Sequence, residues 1–240
     1  MNTNIRRTLI IWTLIAVVAL AGCGLQSVRG SGNTVTREFD FSDFDQVSIE
    51  HAFEGTVIRG DGYRVSVTID DNLEQYLKVE QDGSRLTIGL TETILLRDAT
   101  LEYEITMPAL TNLSASGASN ATLRDFASAD DFTVEASGAS RVEGTITTGD
   151  VNATASGAST ISLAGQGGAV RGNASGASTL DLEEFAAASA DVEASGASTV
   201  TVNTSGRLDA EASGASNVYY LGAPQLGDIN ESGGSNVEPR

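Results

Sequence analysis

Asp191, Asp209 and Asp228 each stand four residues before a Ser-Gly pair, and Glu193 and Glu211 stand two before the first two of those pairs. If the pairs mark equivalent points of stacked strands, the five acids form outward columns on neighbouring rungs. Like charges about 5 Å apart repel. They need solvent, the nearby Arg207, or a hard cation such as Ca²⁺, which binds carboxylate oxygens. A solvated acidic face is the plain reading, and the nonapeptide GGxGxDxUx of calcium-binding β-rolls is absent. Ca²⁺ is therefore the one candidate cofactor, with no firm metal site.

Other chemistry is scarce. A Ser–His catalyst would have to use His51, the single histidine, which sits in an alternating stretch away from any Gly-x-Ser-x-Gly elbow. There is no Cys/His cluster for zinc. The stretch "GQGGAVRG" (165–172) lacks the Lys-Ser/Thr of a phosphate loop and reads as a turn. Glu183–Glu184 is the best acid pair for glycoside chemistry, and adjacent acids in a loop are ordinarily just solvated. No catalytic residue is assigned.

The elements that would position these side chains announce themselves by repetition. Ser-Gly-Ala-Ser begins at 116, 137, 156, 175, 195 and 213, and Ser-Gly-Gly-Ser at 232. The spacings of 21, 19, 19, 20, 18 and 19 residues signal a solenoid. Within a unit the period is two. Val151, Ala153, Ala155, Gly157, Ser159, Ile161 and Leu163 share one parity, and mostly polar residues share the other. Such a unit cannot bury its apolar face alone, but stacked copies can, pairing in parallel about 4.8 Å apart. Nineteen residues give roughly 60 Å of contour, enough for two or three short faces. The unequal turns argue against a strict hexapeptide metre. The expected fold is therefore all-β, a right-handed parallel β-helix of about 19–20 residues per coil, the hand following the crossover rule. Gly117, Gly138, Gly157, Gly176, Gly196, Gly214 and Gly233 are predicted to stack as a structural ladder inside it, where walls approach too closely for larger side chains.

Residues 34–240 read as one β-helix domain, with 111–240 carrying the repeats and 34–110 forming irregular opening coils. Stretches such as "YRVSVTID" (63–70) alternate like strands, while "DNLEQYLKVE" (71–80) fits a helical turn or a bulged strand. This section would protect the first sheet edge. The last coil presents an edge on which a second copy could stack, an end-to-end association.

The first residues read as an export signal. Arg6 and Arg7 precede the apolar run 8–21, which is short for a membrane span of about 20 residues. "LAGC" (20–23) resembles the lipobox of bacterial lipoproteins. That resemblance implies a lipoprotein signal peptide over 1–22, cleavage before Cys23, and lipid on its sulfur. Cys23 is the only cysteine, so no intrachain disulfide forms. Residues 23–33 are Gly/Ser-rich and read as a flexible tether. The expected location is outside the cytoplasm, lipid-anchored to the bacterial cell envelope. Without Arg6 and Arg7 the chain keeps 12 basic and 32 acidic residues, a net charge of −20. Such a surface excludes nucleic acid as a partner.

"FSDFDQVSIEHAFEGTVIRGD" (41–61), "MPALTNLSASGAS" (107–119), the recurring "SGAS" and "SGASNVYYLGAPQL" (213–226) through "SGGSNV" (232–237) resemble one bacterial family. It is the auto-transporter adhesin, head GIN domain family, a domain of unknown function. The resemblance implies a β-helical fold on exported or lipid-anchored proteins, and it brings no catalytic residues with it. Two functions are open at this point. One is a lipid-anchored, non-enzymatic envelope module, adhesin-like or structural, that meets envelope glycans or surface proteins. The column Asn120, Thr160, Thr179, Thr199, Asn217 and Asn236, with Arg141 interrupting, reads plainly as hydroxyl and amide ladders that satisfy one another; its functional version is a carbohydrate- or surface-recognising face, with Tyr219 and Tyr220 as the aromatic candidates. The other is a polysaccharide-active β-helix enzyme, a lyase or hydrolase, because that fold hosts both.

Overall fold

Val151–Ala155 buries Val151, Ala153 and Ala155 and leaves Asn152 and Thr154 on the outer side, as period two requires. It pairs in parallel with Phe132–Ala136 before it and with 170–174 after it. Repeated coil by coil, this registration builds a β-solenoid of about 6 turns. The computed structural model describes residues 27–92 and 94–240. Cys23, the signal segment and the start of the tether lie outside the described residues.

Two walls run the length of the molecule. The first stacks Arg85–Leu90, Gln46–Ile49, Asn112–Ala115, Phe132–Ala136, Val151–Ala155, 170–174, 190–194, Arg207–Ala212 and Gln225–Glu231. The second stacks Leu101–Met107, Glu54–Arg59, Asn120–Ala127, Arg141–Thr147, 160–166, 179–187, Thr199–Thr204, Asn217–Gly222 and Asn236–Pro239. Every one of these pairings is parallel. Ladders of like residues fill the space between the walls. Val142, Ile161, Leu180, Val200 and Val218 form one such column, each fully buried. Each is worth about 1.5–3 kcal/mol of burial.

The walls meet at the Ser-Gly-Ala-Ser corner, and here the sequence expectation needs correcting. The corner glycines and the alanines after them face solvent, so they do not line the interior. The phrase is a four-residue turn whose middle two residues swing outward. Its last serine returns to the inner side, which is why parity survives from Ala155 to Ser159. Glycine is still required, for a different reason. All seven corner glycines have φ between +74° and +85°, the left-handed region that costs other residues strain. Ala158, Ala177, Ala197 and Ala215 then donate their N–H groups to the glycine carbonyl of the coil before, at 2.7–2.8 Å. The backbone ladder thus continues unbroken around the bend.

The inner-facing serine completes the turn. Ser119, Ser140, Ser159, Ser178, Ser198 and Ser216 are all buried. The Ser178 hydroxyl lies 2.9 Å from two carbonyls, those of Ser175 in its own turn and Ala155 in the coil before. A buried hydroxyl must find such partners.

Irregular strands before residue 110 close the first end. Thr34–Phe39 pairs antiparallel with Arg64–Asp70, and that strand antiparallel with Leu101–Met107. Leu77–Asp82 covers the other wall as an antiparallel partner of Arg85–Leu90. A short 3₁₀ helix, Asp71–Tyr76, seals the cap with the fully buried Leu73. The tether expectation is corrected for its last residues. Ser27–Arg29 pairs in parallel with Leu95–Arg97, and the Gly32 N–H donates to Asp70 Oδ1 at 2.7 Å. The buried Asp70 carboxylate also accepts from the Thr100 N–H at 2.7 Å, so one side chain pins both strands of the cap.

Candidate functional site

The polar column that follows each corner holds its register from end to end. Asn120 opposes Arg141, then come Thr160, Thr179, Thr199, Asn217 and Asn236, one per coil. Parallel pairing sets these side chains about 4.8 Å apart. All are half-buried or exposed on the outer side of the second wall. Asn236 Nδ2 donates to Asn217 Oδ1 at 3.0 Å, so neighbouring rungs satisfy each other where their side chains reach. Tyr219 stands half-exposed on the adjacent column, after Thr201. Tyr220 packs partly against the core.

Two residues on, a second outward column runs Thr122, Glu143, Ser162 and Asp181. With Arg124, Glu183 and Glu184 it lines a broad open groove of about 640 Å³. Sequence reading passed over Glu143 and Arg124. The signal was there, since Glu143 and Asp181 both lie three residues beyond the buried serine of their turn. Glu183 and Glu184 are not on a free loop: they belong to the continuous strand Thr179–Ala194, at a bulge between Leu182 and Ala186. Glu183 pairs with Arg240 at 2.5 Å.

On the first wall the acids of neighbouring coils lie side by side in part. Asp191 opposes Asp209, and Glu193 opposes Glu211. Asp228 falls at a bulge, and its N–H donates to Asp209 Oδ1 at 2.7 Å. Compensation comes from basic and amide groups. Arg207 Nη2 reaches Asp209 Oδ1 at 2.6 Å and Asp228 Oδ2 at 3.2 Å, and Asn173 Nδ2 donates to Glu193 Oε2 at 3.1 Å. The Arg207 hydrogen bond and the Asp228 N–H hold the Asp209 carboxyl below its ordinary range. Among the described residues, no group of three or more His, Cys, Asp or Glu is arranged to hold a metal ion.

His51 is placed differently from the sequence expectation. It occupies a turn between Gln46–Ile49 and Glu54–Arg59, with φ +61°, and not a strand. Its Nδ1 accepts from the Leu90 N–H at 3.3 Å and lies 3.8 Å from Glu50 Oε2.

A family model described as "Putative auto-transporter adhesin, head GIN domain" matches residues 43–224. Among the crystal structures that share the fold are the following three. The first is a putative adhesin from Bacteroides fragilis, 16% identical, with a TM-score of 0.83 over 89% of this chain and 100% of that one. The second is a putative lipid binding protein from Parabacteroides distasonis, 18% identical, with a TM-score of 0.70 over 90% and 100%. The third is a putative adhesin from Parabacteroides merdae, 16% identical, with a TM-score of 0.66 over 90% and 99%. No curated protein matches.

Proposed function

Since this chain belongs to the auto-transporter adhesin, head GIN domain family, we propose that it is a non-enzymatic recognition module of the bacterial cell envelope, held there by lipid on Cys23. The observation that carries this reading is the seven-rung column from Asn120 to Asn236. Hydroxyls and amides repeated at one pitch on a rigid wall suit a ligand that itself repeats, such as an envelope polysaccharide. Aromatic Tyr219 at its edge offers a stacking surface of the kind found where one end of a site is apolar and the other wet. Many weak contacts at fixed spacing add up through effective concentration. A convergent, enclosed polar pocket is the usual mark of a catalyst, and the broad groove beside the column is open.

Retention of the purified protein on neutral and acidic envelope glycans tests the reading. We expect retention without release of shortened products, and a clear loss of retention in Thr179→Val/Thr199→Val. Product release would overturn it in favour of a polysaccharide-active enzyme. The anchor is tested separately: Cys23→Ala moves the protein from the membrane fraction to the soluble one, with retention on glycans unchanged.

A further inference from the structure

The first repeat coil is the longest, 21 residues from Ser116 to Ser137, two more than the next; one of the two is in the turn between Ala127 and Phe132 and the other in the strand before it. The strand Asn120–Ala127 carries a bulge between Leu123 and Phe126, where it falls out of register with Arg141–Thr147. Asp125 adopts φ +64° there, a conformation uncommon outside glycine. Bulges re-aim side chains and gather beside binding sites. This one turns Phe126 onto the core margin, opposite Ile146. Between these coils lies a recess of about 210 Å³, walled mainly by Pro108, Leu110, Phe126, Phe132 and Ile146, with Ser128, Thr147 and Thr148 also in its lining. Arg59 stands at its edge, exposed, and makes no ion pair among the described residues.

The geometry points to a binding site for a small apolar carboxylate, one aromatic ring on a short acidic tail. Size and charge select this occupant. A cavity of about 150 Å³ lined by aliphatic and aromatic side chains holds benzene, so this recess takes a phenyl ring with little to spare. Arg59 is a fork of donors matched to a carboxylate. In a chain with 32 acidic and 14 basic residues, an arginine left without a carboxylate beside an apolar recess is a free anion contact. The site is separate from the polar column and does not rest on the proposal made for it.

Titration of the ¹⁵N-labelled domain with 3-phenylpropionate tests the site. We expect saturable amide shifts confined to Arg59, Leu110, Phe126 and Ile146 and their neighbours. The neutral 3-phenylpropanol should bind about tenfold more weakly, the loss typical of a charge-assisted hydrogen bond. Arg59→Gln should remove that difference while leaving the spectrum elsewhere unchanged, which shows the fold intact. No saturable shifts up to 10 mM (on the order of the weakest binding worth the name), or equal affinity for acid and alcohol in the parent protein, would overturn the proposal.

Discussion

A methyl carbon placed on Gly157 would sit 2.6 Å from the carbonyl oxygen of Gly138, one coil below. That oxygen is already engaged by the Ala158 N–H at 2.8 Å. The corner is therefore closed to any side chain by its neighbour, and closed again by φ +75°. Gly176, Gly196, Gly214 and Gly233 repeat the relationship at 2.6–2.7 Å.

Gly157→Ala is expected to destabilise the domain by about 2–4 kcal/mol, summing left-handed strain and the clash. Thermal denaturation reads this as a fall in Tm of several degrees, at about 2–4 °C per kcal/mol for a domain of this size. The exposed Ala158→Ser, in the same turn, should leave Tm unchanged. Equal effects from the two variants would mean that the turn is not held by glycine.

Ser178→Ala removes a buried hydroxyl; Ala155 O keeps the Ser175 N–H at 2.9 Å, and the carbonyl of the half-buried Ser175 is left to water. The expected cost is about 1 kcal/mol, the net worth of one hydrogen bond. Ser178→Val adds bulk to a fully packed column and should cost more. Urea denaturation midpoints separate the two.

Asp70→Asn tests the latch of the cap. A carboxylate that accepts from two backbone N–H groups is replaced by an amide that can accept with only one atom. About 2–3 kcal/mol should be lost. Hydrogen exchange should show the loss first in Ser27–Arg29 and Leu95–Arg97, with the later coils still protected. Uniform loss of protection would mean that the cap and the solenoid open together.

Tyr103 sits in the core with its hydroxyl donating to the Asn120 carbonyl at 3.1 Å. Burial, and after it the charge of Glu54, pushes its ionisation well above the ordinary phenol value. The folded chain therefore holds this proton where the unfolded chain releases it. The associated stability is full below about pH 10 and is lost as pH rises beyond it. Tyr103→Phe should lower Tm slightly at neutral pH and flatten its decline between about pH 10 and 11.

At the acid side the sign reverses. The Arg37 hydrogen bond holds Glu74 below its ordinary range, and Arg207 does the same for Asp209. Their contribution is present above about pH 4 and fades as pH falls through the lower folded values. Both pairs are exposed, so the effect is small and screened by salt. Arg37→Gln/Arg207→Gln should reduce the acid-side slope of Tm only at low ionic strength.

The sequence by itself determined the period, the strands and the stacking. A 19–20-residue repeat with alternating parity leaves stacked parallel coils as the way to bury its apolar face, and the columns of Val142 and of Asp191 follow by counting. The direction in which the corner points was decided only by the fold. Counting puts Gly157 on the inner parity, but a left-handed glycine and the residue after it carry the backbone outward before Ser159 returns. The earliest corner was equally invisible. Glu50, His51, Ala52 and Phe53 occupy the place of a Ser-Gly-Ala-Ser turn, registered against 116–119, with left-handed His51 and Ala52 and with buried Phe53 where later coils have serine. No residue of that turn repeats the motif except Ala52. What coils share is a backbone path and hydrogen bonds to the neighbouring rung, such as Ser116 N–H to Ile49 O at 2.9 Å and Asn120 N–H to Phe53 O at 2.9 Å. Backbone groups carry no side-chain signature, so a corner without its motif becomes visible only once the rungs are laid on one another. The recess beside Phe126 has the same origin: its walls come from coils far apart in the chain, and only stacking makes them neighbours.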